Sequence, residues 1–163
     1  MDPSKKYPRG FERRTRVAFD RLEDVPKSPG LYVWKFDGVD DLSRWTYHYV
    51  GKAQDLHADL ARHLTAHSQK NPFRQKLAAL LQLPAKRSLF GKVTLSADRE
   101  AWLSAWIRGH GSCWFYETRS PNRLERSWIK SLEAPLNCET ASTGLMGRVA
   151  LMVGDRLSVR GLG

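Results

Sequence analysis

The feature that most constrains the fold is a pair of short apolar runs followed at once by an amphipathic helix. The runs, residues 30–36 and 45–51, contain Gly30-Leu31-Tyr32 and Tyr49-Val50-Gly51 and are joined by a polar loop. This pattern predicts an antiparallel hairpin. Because cross-strand neighbours on one face lie close together, the hairpin would direct both tyrosines to one cleft, and the glycines would let backbone or substrate approach closely.

The helix predicted next, residues 55–66, places polar groups beside this cleft. Asp55 is its expected N-cap, and Lys52, between strand and helix, adds a cation. Asp59 and His63 are four residues apart and therefore share one shoulder of the helix. We expect His63 to face the cleft. The buried stripe of this helix would be formed by Leu56, Leu60 and Leu64.

A carboxylate lies inside an apolar stripe far downstream. Ser120 and Pro121 are typical of a helix start, and they predict a helix over residues 121–133. At about 100° per residue, Glu125 falls within the apolar stripe of this helix. A buried charge is costly unless it is paired or bound to a metal. The residues alone leave both alternatives open for Glu125: a salt bridge to a neighbouring arginine or a metal ligand.

Over roughly residues 29–137, the chain resembles the GIY-YIG nuclease family. The resemblance comes from an ordered set: the two strand motifs, His63, Glu125 and Pro135-Leu136-Asn137. The resemblance implies an α/β fold of the α+β type, with a small antiparallel three-stranded sheet flanked by helices. It also implies a divalent-metal-dependent endonuclease that hydrolyses phosphodiester bonds in DNA. Two alternatives stay open: a non-catalytic nucleic-acid-binding module of the same fold, and an RNA-cleaving enzyme such as a toxin.

The resemblance also assigns roles. Glu125 would bind Mg²⁺ or Mn²⁺, which stabilises charge at the phosphate and the leaving oxygen. Asn137 would support the residues that contact the substrate. Tyr32 would position or deprotonate the attacking water. Tyr49, Lys52 and His63 would assist through hydrogen bonds to water and phosphate. Because tyrosine is a poor base at neutral pH, the metal or nearby cations would have to lower the pKa of Tyr32.

One position departs from the family pattern. The residue four before the helix histidine is normally an arginine, whose fixed fork suits a phosphate, and here it is Asp59. A carboxylate would repel the scissile phosphate and would inactivate or attenuate the enzyme. Three explanations stay open: an engineered inactivation, a natural variant in which Arg62 or Lys52 supplies the charge, or a protein that binds without cutting.

The charge balance predicts a polyanionic partner. The chain has 27 Lys and Arg against 17 Asp and Glu, a formal net charge of +10, which favours a nucleic acid. The excess is concentrated in an amino-terminal arm, which would follow a phosphate backbone or be a solvated terminus. The residues predicted to contact nucleic acid are Lys5, Lys6, Arg13, Arg14, Arg62 and Arg74.

The remaining sequence predicts one domain. Residues 1–28 form the arm and lead-in, residues 29–137 the nuclease core with a helical insertion at about 67–110, and residues 138–163 a carboxy-terminal extension. Further helices are predicted at 71–83 and 98–108, and further strands at 90–96 and 112–117. Trp102 and Trp106, at helical spacing, are expected in the core. Without a long apolar run or signal pattern, a cytoplasmic bacterial or phage protein is expected, with no membrane partner. The oligomeric state stays open.

Overall fold

Three antiparallel strands form the centre of the fold. A computed structural model describes residues 16–65, 67–87 and 93–137. The main sheet has the order β2-β1-β5, with β1 at Gly30–Phe36, β2 at Tyr49–Ala53 and β5 at Gly111–Glu117. A separate two-stranded ribbon pairs β3, Lys86–Arg87, with β4, Val93–Thr94. The helices are α1 at Leu56–Thr65, α2 at Pro72–Leu80, α3 at Ala97–His110 and α4 at Pro121–Leu132.

β1 lies in the middle of the sheet because its side chains are apolar on both faces. Tyr32, Trp34 and Phe36 point to one side and belong to a core cluster shared with α1, α2 and α3. Leu31 and Val33 point to the other side and pack with Trp128 of α4. A strand buried on both faces has a nearly continuous apolar sequence rather than an alternating one. The sheet is therefore covered by three helices on one face and by α4 on the other.

The predicted architecture is confirmed: a small antiparallel three-stranded sheet flanked by helices. β1 has the predicted bounds, and the predicted insertion, residues 67–110, contains α2, the β3–β4 ribbon and α3. Asp55 caps α1, since its Oδ1 accepts a hydrogen bond of 2.9 Å from the backbone N–H of Ala58. The carboxy-terminal extension and most of the amino-terminal arm lie outside the described residues.

Several predicted boundaries are wrong. β2 was predicted at 45–51, but its pairing with β1 runs from Tyr49 opposite Trp34 to Ala53 opposite Gly30. Within the described part of the strand predicted at 90–96, the strand is Val93–Thr94, and it pairs with β3 instead of the main sheet. Ser120 occupies the N-cap position of α4 without a side-chain capping hydrogen bond.

The two tryptophans of α3 differ in their surroundings. Trp106 stacks on Phe36, with 5.4 Å between ring centroids. Trp102 is 48% exposed, so its predicted place in the core is wrong. The reason is that α3 buries only the face carrying Leu103 and Ile107. Among the residues that the structure describes, no helix combines the length and apolar character needed to cross a membrane.

Candidate active site

The phenol of Tyr32 lies at the centre of a buried polar cluster. Its Oη is 2.6 Å from Oδ2 of Asp59 and 2.6 Å from Nε2 of His63. The tyrosine is 2% exposed and the histidine 4% exposed. β1 and α1 thus bring together three of the predicted site residues. His63 was expected to face the cleft, but it is buried against Tyr32.

The hydrogen bonds around His63 run in one direction. Nδ2 of Asn71 lies 3.1 Å from Nδ1 of His63, while Oδ1 of Asn71 caps α2 by accepting from the N–H of Arg74. An amide nitrogen only donates, so Nδ1 of His63 accepts and Nε2 carries the proton. His63 then donates to Tyr32, and Tyr32 donates to Asp59. The chain of donors ends on the carboxylate.

The pKa values of this cluster agree with that direction. Burial, together with the charges of Arg62 and Arg74, lowers the pKa of His63 to about 3, so the ring is neutral at pH 7. Burial, then Tyr49 and Asp59, raises the pKa of Tyr32 well above 10. A tyrosine that acts as a base at neutral pH needs a lowered pKa. In the protein alone the shift has the opposite direction, because the phenol is buried and because Asp59 stands where a cation was needed.

The neutral state of His63 predicts a stability change with pH. Its pKa is about 3 in the folded protein and about 6.5 when unfolded, so between these values the unfolded state binds more protons. The free energy of unfolding should therefore fall as the pH drops below about 6.5, by up to about 1.4 kcal/mol per pH unit from this group. Denaturant unfolding of the wild type and of His63→Gln at several pH values measures the difference.

Only the difference between the two proteins is diagnostic, since burial also lowers the pKa of His48. The wild type should lose more stability than His63→Gln on going from pH 7 to pH 5. Parallel curves for both proteins would show that His63 is not held neutral in the fold.

Gly51 is required by the position of Tyr32. The two residues are direct cross-strand partners, and a Cβ at position 51 would overlap Cζ and Oη of Tyr32. Gly51→Ala should therefore displace the phenol and lower the free energy of unfolding by roughly 1–3 kcal/mol, as overpacking does. Urea unfolding measures this change.

Gly109 provides the matched control for that substitution. It lies in α3, and a Cβ there would meet nothing within 4 Å. Gly109→Ala should be neutral or stabilising by up to about 1 kcal/mol, because alanine is the better helix former. If Gly51→Ala were as well tolerated as Gly109→Ala, the close approach of Tyr32 to the β2 backbone would be wrong.

Arg62 bends back to Asp59. Its guanidinium forms an ion pair with Oδ1 of Asp59, while its side chain stays 60% exposed and that of Asp59 is 15% exposed. The carboxylate thus accepts from both Tyr32 and Arg62. Arg62 is therefore an exposed cation one helical turn from position 59, where the family has its arginine. A natural variant in which Arg62 supplies the missing charge would need this geometry.

Glu125 forms an ion pair with Lys52. Nζ of Lys52 is 2.7 Å from Oε2 of Glu125, and the side chains are 45% and 23% exposed, respectively. Lys52 pairs with Leu31 in the sheet, next to the Tyr32–Gly51 pair. Alternation along a strand therefore places Lys52 on the face opposite Tyr32. The salt bridge that the sequence allowed for Glu125 is present, with a lysine of β2 rather than an arginine.

Glu125 offers one partly exposed carboxylate to a divalent cation. Within the described part of the chain, no group of three or more His, Cys, Asp or Glu could hold a metal. Mg²⁺, however, keeps several waters and is commonly bound by one or two carboxylates together with substrate phosphates. A partly exposed carboxylate meets that requirement. Lys52 would then compete with the cation for Oε2 and would be freed when the cation binds.

Tyr49 lies on the same face of the sheet as Tyr32, because it pairs with Trp34. Its ring centroid is 6.4 Å from that of Tyr32 and 6.3 Å from that of His63. Burial, then the charges of Asp59 and Glu125, raises the pKa of Tyr49 to about 12. It therefore stays protonated at neutral pH in the field of both carboxylates, and its hydroxyl is a neutral hydrogen-bond donor.

Asn137 fixes the edge of the sheet at this point. Its Oδ1 accepts from the N–H of Val50 and its Nδ2 donates to the carbonyl of Val50, each at 2.7 Å. The side chain thereby pairs with β2 between Tyr49 and Gly51, so it supports the site through the backbone.

Arg74 is buried, so the prediction that it contacts nucleic acid is wrong. Its guanidinium is completely buried, 2.7 Å from Oε2 of Glu100 and 2.8 Å from the carbonyl of His63. A buried arginine needs such partners because an unpaired charge in the interior is costly. Lys5, Lys6, Arg13 and Arg14 lie outside the described residues.

Two residues that hold the site were missed by the sequence analysis. Asn71 orients the ring of His63 through a hydrogen bond to Nδ1. Glu100 accepts hydrogen bonds from Arg74, whose guanidinium also donates to the carbonyl of His63. Asn71 precedes Pro72 at the start of α2, which is a capping pattern that could have been recognised. Its second bond, to His63, depends on tertiary packing and carries no sequence signal.

The chain matches a known protein family. Residues 30–146 match the family described as the GIY-YIG catalytic domain, and this range covers more than two thirds of the chain. No curated protein and no solved structure matched the chain.

Proposed function

Because the chain belongs to the GIY-YIG catalytic domain family, we propose that it is a divalent-metal-dependent endonuclease that hydrolyses phosphodiester bonds in DNA. Membership of the family implies a nuclease with a nucleic-acid substrate. DNA as the substrate, the cation and the activity of this chain are our proposal. We place Tyr32, Tyr49, Lys52, His63, Glu125 and Asn137 in the site, with Asp59 at the arginine position.

The observation that supports this proposal most is the arrangement of two polar groups around one strand. Tyr32, His63 and Asp59 meet on one side of β2, and Lys52 meets Glu125 on the other. Tyr49 lies in the electrostatic field of both. The two groups together contribute hydrogen-bond donors and carboxylates from four different elements, β1, β2, α1 and α4.

The roles follow from the chemistry of each group. Glu125 would hold Mg²⁺ or Mn²⁺, which supplies charge stabilisation at the phosphate and the leaving oxygen. Tyr32 positions the attacking water, since its raised pKa keeps it protonated at neutral pH. His63 orients Tyr32 through Nε2, Tyr49 donates to a phosphate oxygen, and Asn137 keeps the β2 backbone in place.

Asp59 attenuates this activity. It is hydrogen-bonded to Tyr32 and contributes to the high pKa of that phenol. Its charge also opposes a phosphate where the family has an arginine. Arg62 offsets part of that charge and stays exposed enough to contact DNA. In the amino-terminal arm, Lys5, Lys6, Arg13 and Arg14 would add sequence-independent affinity.

A non-catalytic nucleic-acid-binding module is the second candidate, and the bond between Asp59 and Tyr32 is the observation that favours it. It predicts salt-sensitive binding without turnover at any metal concentration. Side-by-side digestion of DNA and RNA in Mg²⁺ and Mn²⁺, with binding measured on the same preparation, separates the candidates. Preferential cleavage of RNA would show that the substrate is RNA rather than DNA.

A further inference from the structure

One face of α4 presents a row of cations to solvent. Arg123, Arg126 and Lys130 are spaced three and four residues apart, so they lie within about 60° of one another around the helix. All three are exposed. Arg119, in the turn just before the helix, is exposed as well. We refer to these four residues, Arg119, Arg123, Arg126 and Lys130, as the α4 ridge.

The ridge points away from the body of the protein. The opposite face of α4 carries Leu124, Trp128, Ile129 and Leu132, which belong to the core cluster formed with Leu31, Val33 and Val50 of the sheet. Because this packing fixes the rotation of the helix about its axis, the cationic side chains project outward. They contribute nothing to the core, so the fold alone does not require them.

The ridge is also uncompensated. None of its four cations forms an ion pair with another residue in the ranges 16–65, 67–87 and 93–137. Five other cations do have acidic partners in those ranges: Arg21, Lys35, Lys52, Arg62 and Arg74. Exposed helix faces are commonly stabilised by acid–base pairs three or four residues apart, but no pair joins Lys130 to Glu133. A row of like charges without partners is mildly unfavourable for the isolated protein and favourable for a polyanion.

We propose that the α4 ridge binds the phosphate backbone of a DNA duplex beside the cleavage site. This inference rests on the proposed function. From Arg123 to Lys130 the helix rises about 10 Å, a length over which one strand of B-form DNA presents about three phosphates. The ridge thus matches a stretch of backbone rather than a single phosphate.

The helix also links this contact to the proposed chemistry. Glu125 lies about 100° around α4 from Arg126, and about 140° and 160° from Lys130 and Arg123, on the side that reaches Lys52 of β2. One rigid helix therefore carries both the backbone contact and the proposed metal ligand. A site built on a helix holds its geometry better than one built on loops, so the ridge would set the position of the duplex relative to Glu125.

The test is the salt dependence of DNA binding by the triple variant Arg123→Ala/Arg126→Ala/Lys130→Ala. Fluorescence anisotropy with a short labelled DNA duplex in EDTA measures binding without cleavage. Each lost phosphate contact should reduce the slope of log K against log salt by about 0.9. We expect the slope to fall by about 2.7 and the Kd at about 100 mM NaCl to rise at least roughly tenfold. Alanine is a good helix former, so the variant should stay folded, and circular dichroism checks this.

The matched control removes the same charge elsewhere. Lys27, Lys70 and Lys86 are exposed on three different segments, and Lys27→Ala/Lys70→Ala/Lys86→Ala should keep most of the slope. Equal losses in both triple variants would mean that only net charge matters and would overturn the inference. Unchanged binding by the ridge variant would overturn it as well, while leaving the nuclease proposal intact. Failure of the wild type to bind DNA would overturn both the proposed function and the proposed role of the ridge.

Discussion

Asp59→Arg is expected to raise the rate of Mg²⁺-dependent DNA cleavage by at least about a hundredfold, which is the usual contribution of one well-placed donor to a developing oxyanion. In the wild type, Oδ2 of Asp59 accepts a 2.6 Å hydrogen bond from Tyr32. An arginine would donate to the phenol oxygen instead of accepting from it. Its charge would lower the pKa of Tyr32, and its fork would be available to a phosphate oxygen. Plasmid nicking measures the rate.

Two further variants separate the causes. Asp59→Asn removes the negative charge without supplying a guanidinium, so a rate close to that of Asp59→Arg would assign the attenuation to repulsion alone. Asp98→Arg, at an exposed position of α3, gives the same change in net charge away from the site and should leave the rate unchanged. If wild type and Asp59→Arg cut equally well, another cation serves the phosphate, and Arg62 and Lys52 become the residues to replace.

Glu125→Ala should abolish metal-dependent cleavage, with a loss of at least about a thousandfold. A divalent cation contributes several kcal/mol to the transition state, and about 1.4 kcal/mol corresponds to a factor of ten in rate. The variant should still bind DNA, because Glu125 is an acidic residue and its removal takes away no phosphate contact. Cleavage rates across a Mg²⁺ titration, with binding measured in EDTA, provide the test.

The control for Glu125 lies near the end of the same helix. Glu125→Gln keeps the size of the side chain and should lose activity like the alanine variant, whereas Glu133→Gln changes an exposed residue at the C-cap of α4 and should not. Removing Glu125 also leaves Lys52 without its partner. A Glu125 variant whose loss of cleavage was the same at every Mg²⁺ concentration and was restored by also replacing Lys52 would show that the carboxylate acts through Lys52 rather than as a metal ligand.

The sequence predicted most of the framework because its signals are local. The β1 motif combines Gly30 and Tyr32 with a continuous apolar run, and both its bounds and its pairing with the Tyr49-Val50-Gly51 strand were predictable. The sequence also placed Asp59 and His63 on one shoulder of α1, because helical spacing alone determines that relation. The meeting of both side chains at one phenol was not predicted, since it depends on how α1 packs against β1.

The remaining errors share a physical cause. Arg74 was predicted to be a surface cation, but it is buried in an ion pair with Glu100, which lies 26 positions along the chain. Trp102 looked like a core residue, but α3 has other side chains to bury. The effect of Asp59 on Tyr32 also depends on burial, which raises the pKa of that phenol more than any single neighbour. Long-range partners and burial are properties of the packed chain and leave little trace in local sequence.

The central claim is that this chain is a metal-dependent nuclease attenuated by Asp59, and one comparison of four proteins tests it most directly. Wild type, Asp59→Arg, Glu125→Ala and the double variant Asp59→Arg/Glu125→Ala are assayed for plasmid cleavage in Mg²⁺ and Mn²⁺. We expect slow cleavage by the wild type, faster cleavage by Asp59→Arg, and none by either protein that lacks Glu125. Bound but uncut DNA with all four proteins would contradict the claim and would favour the binding module.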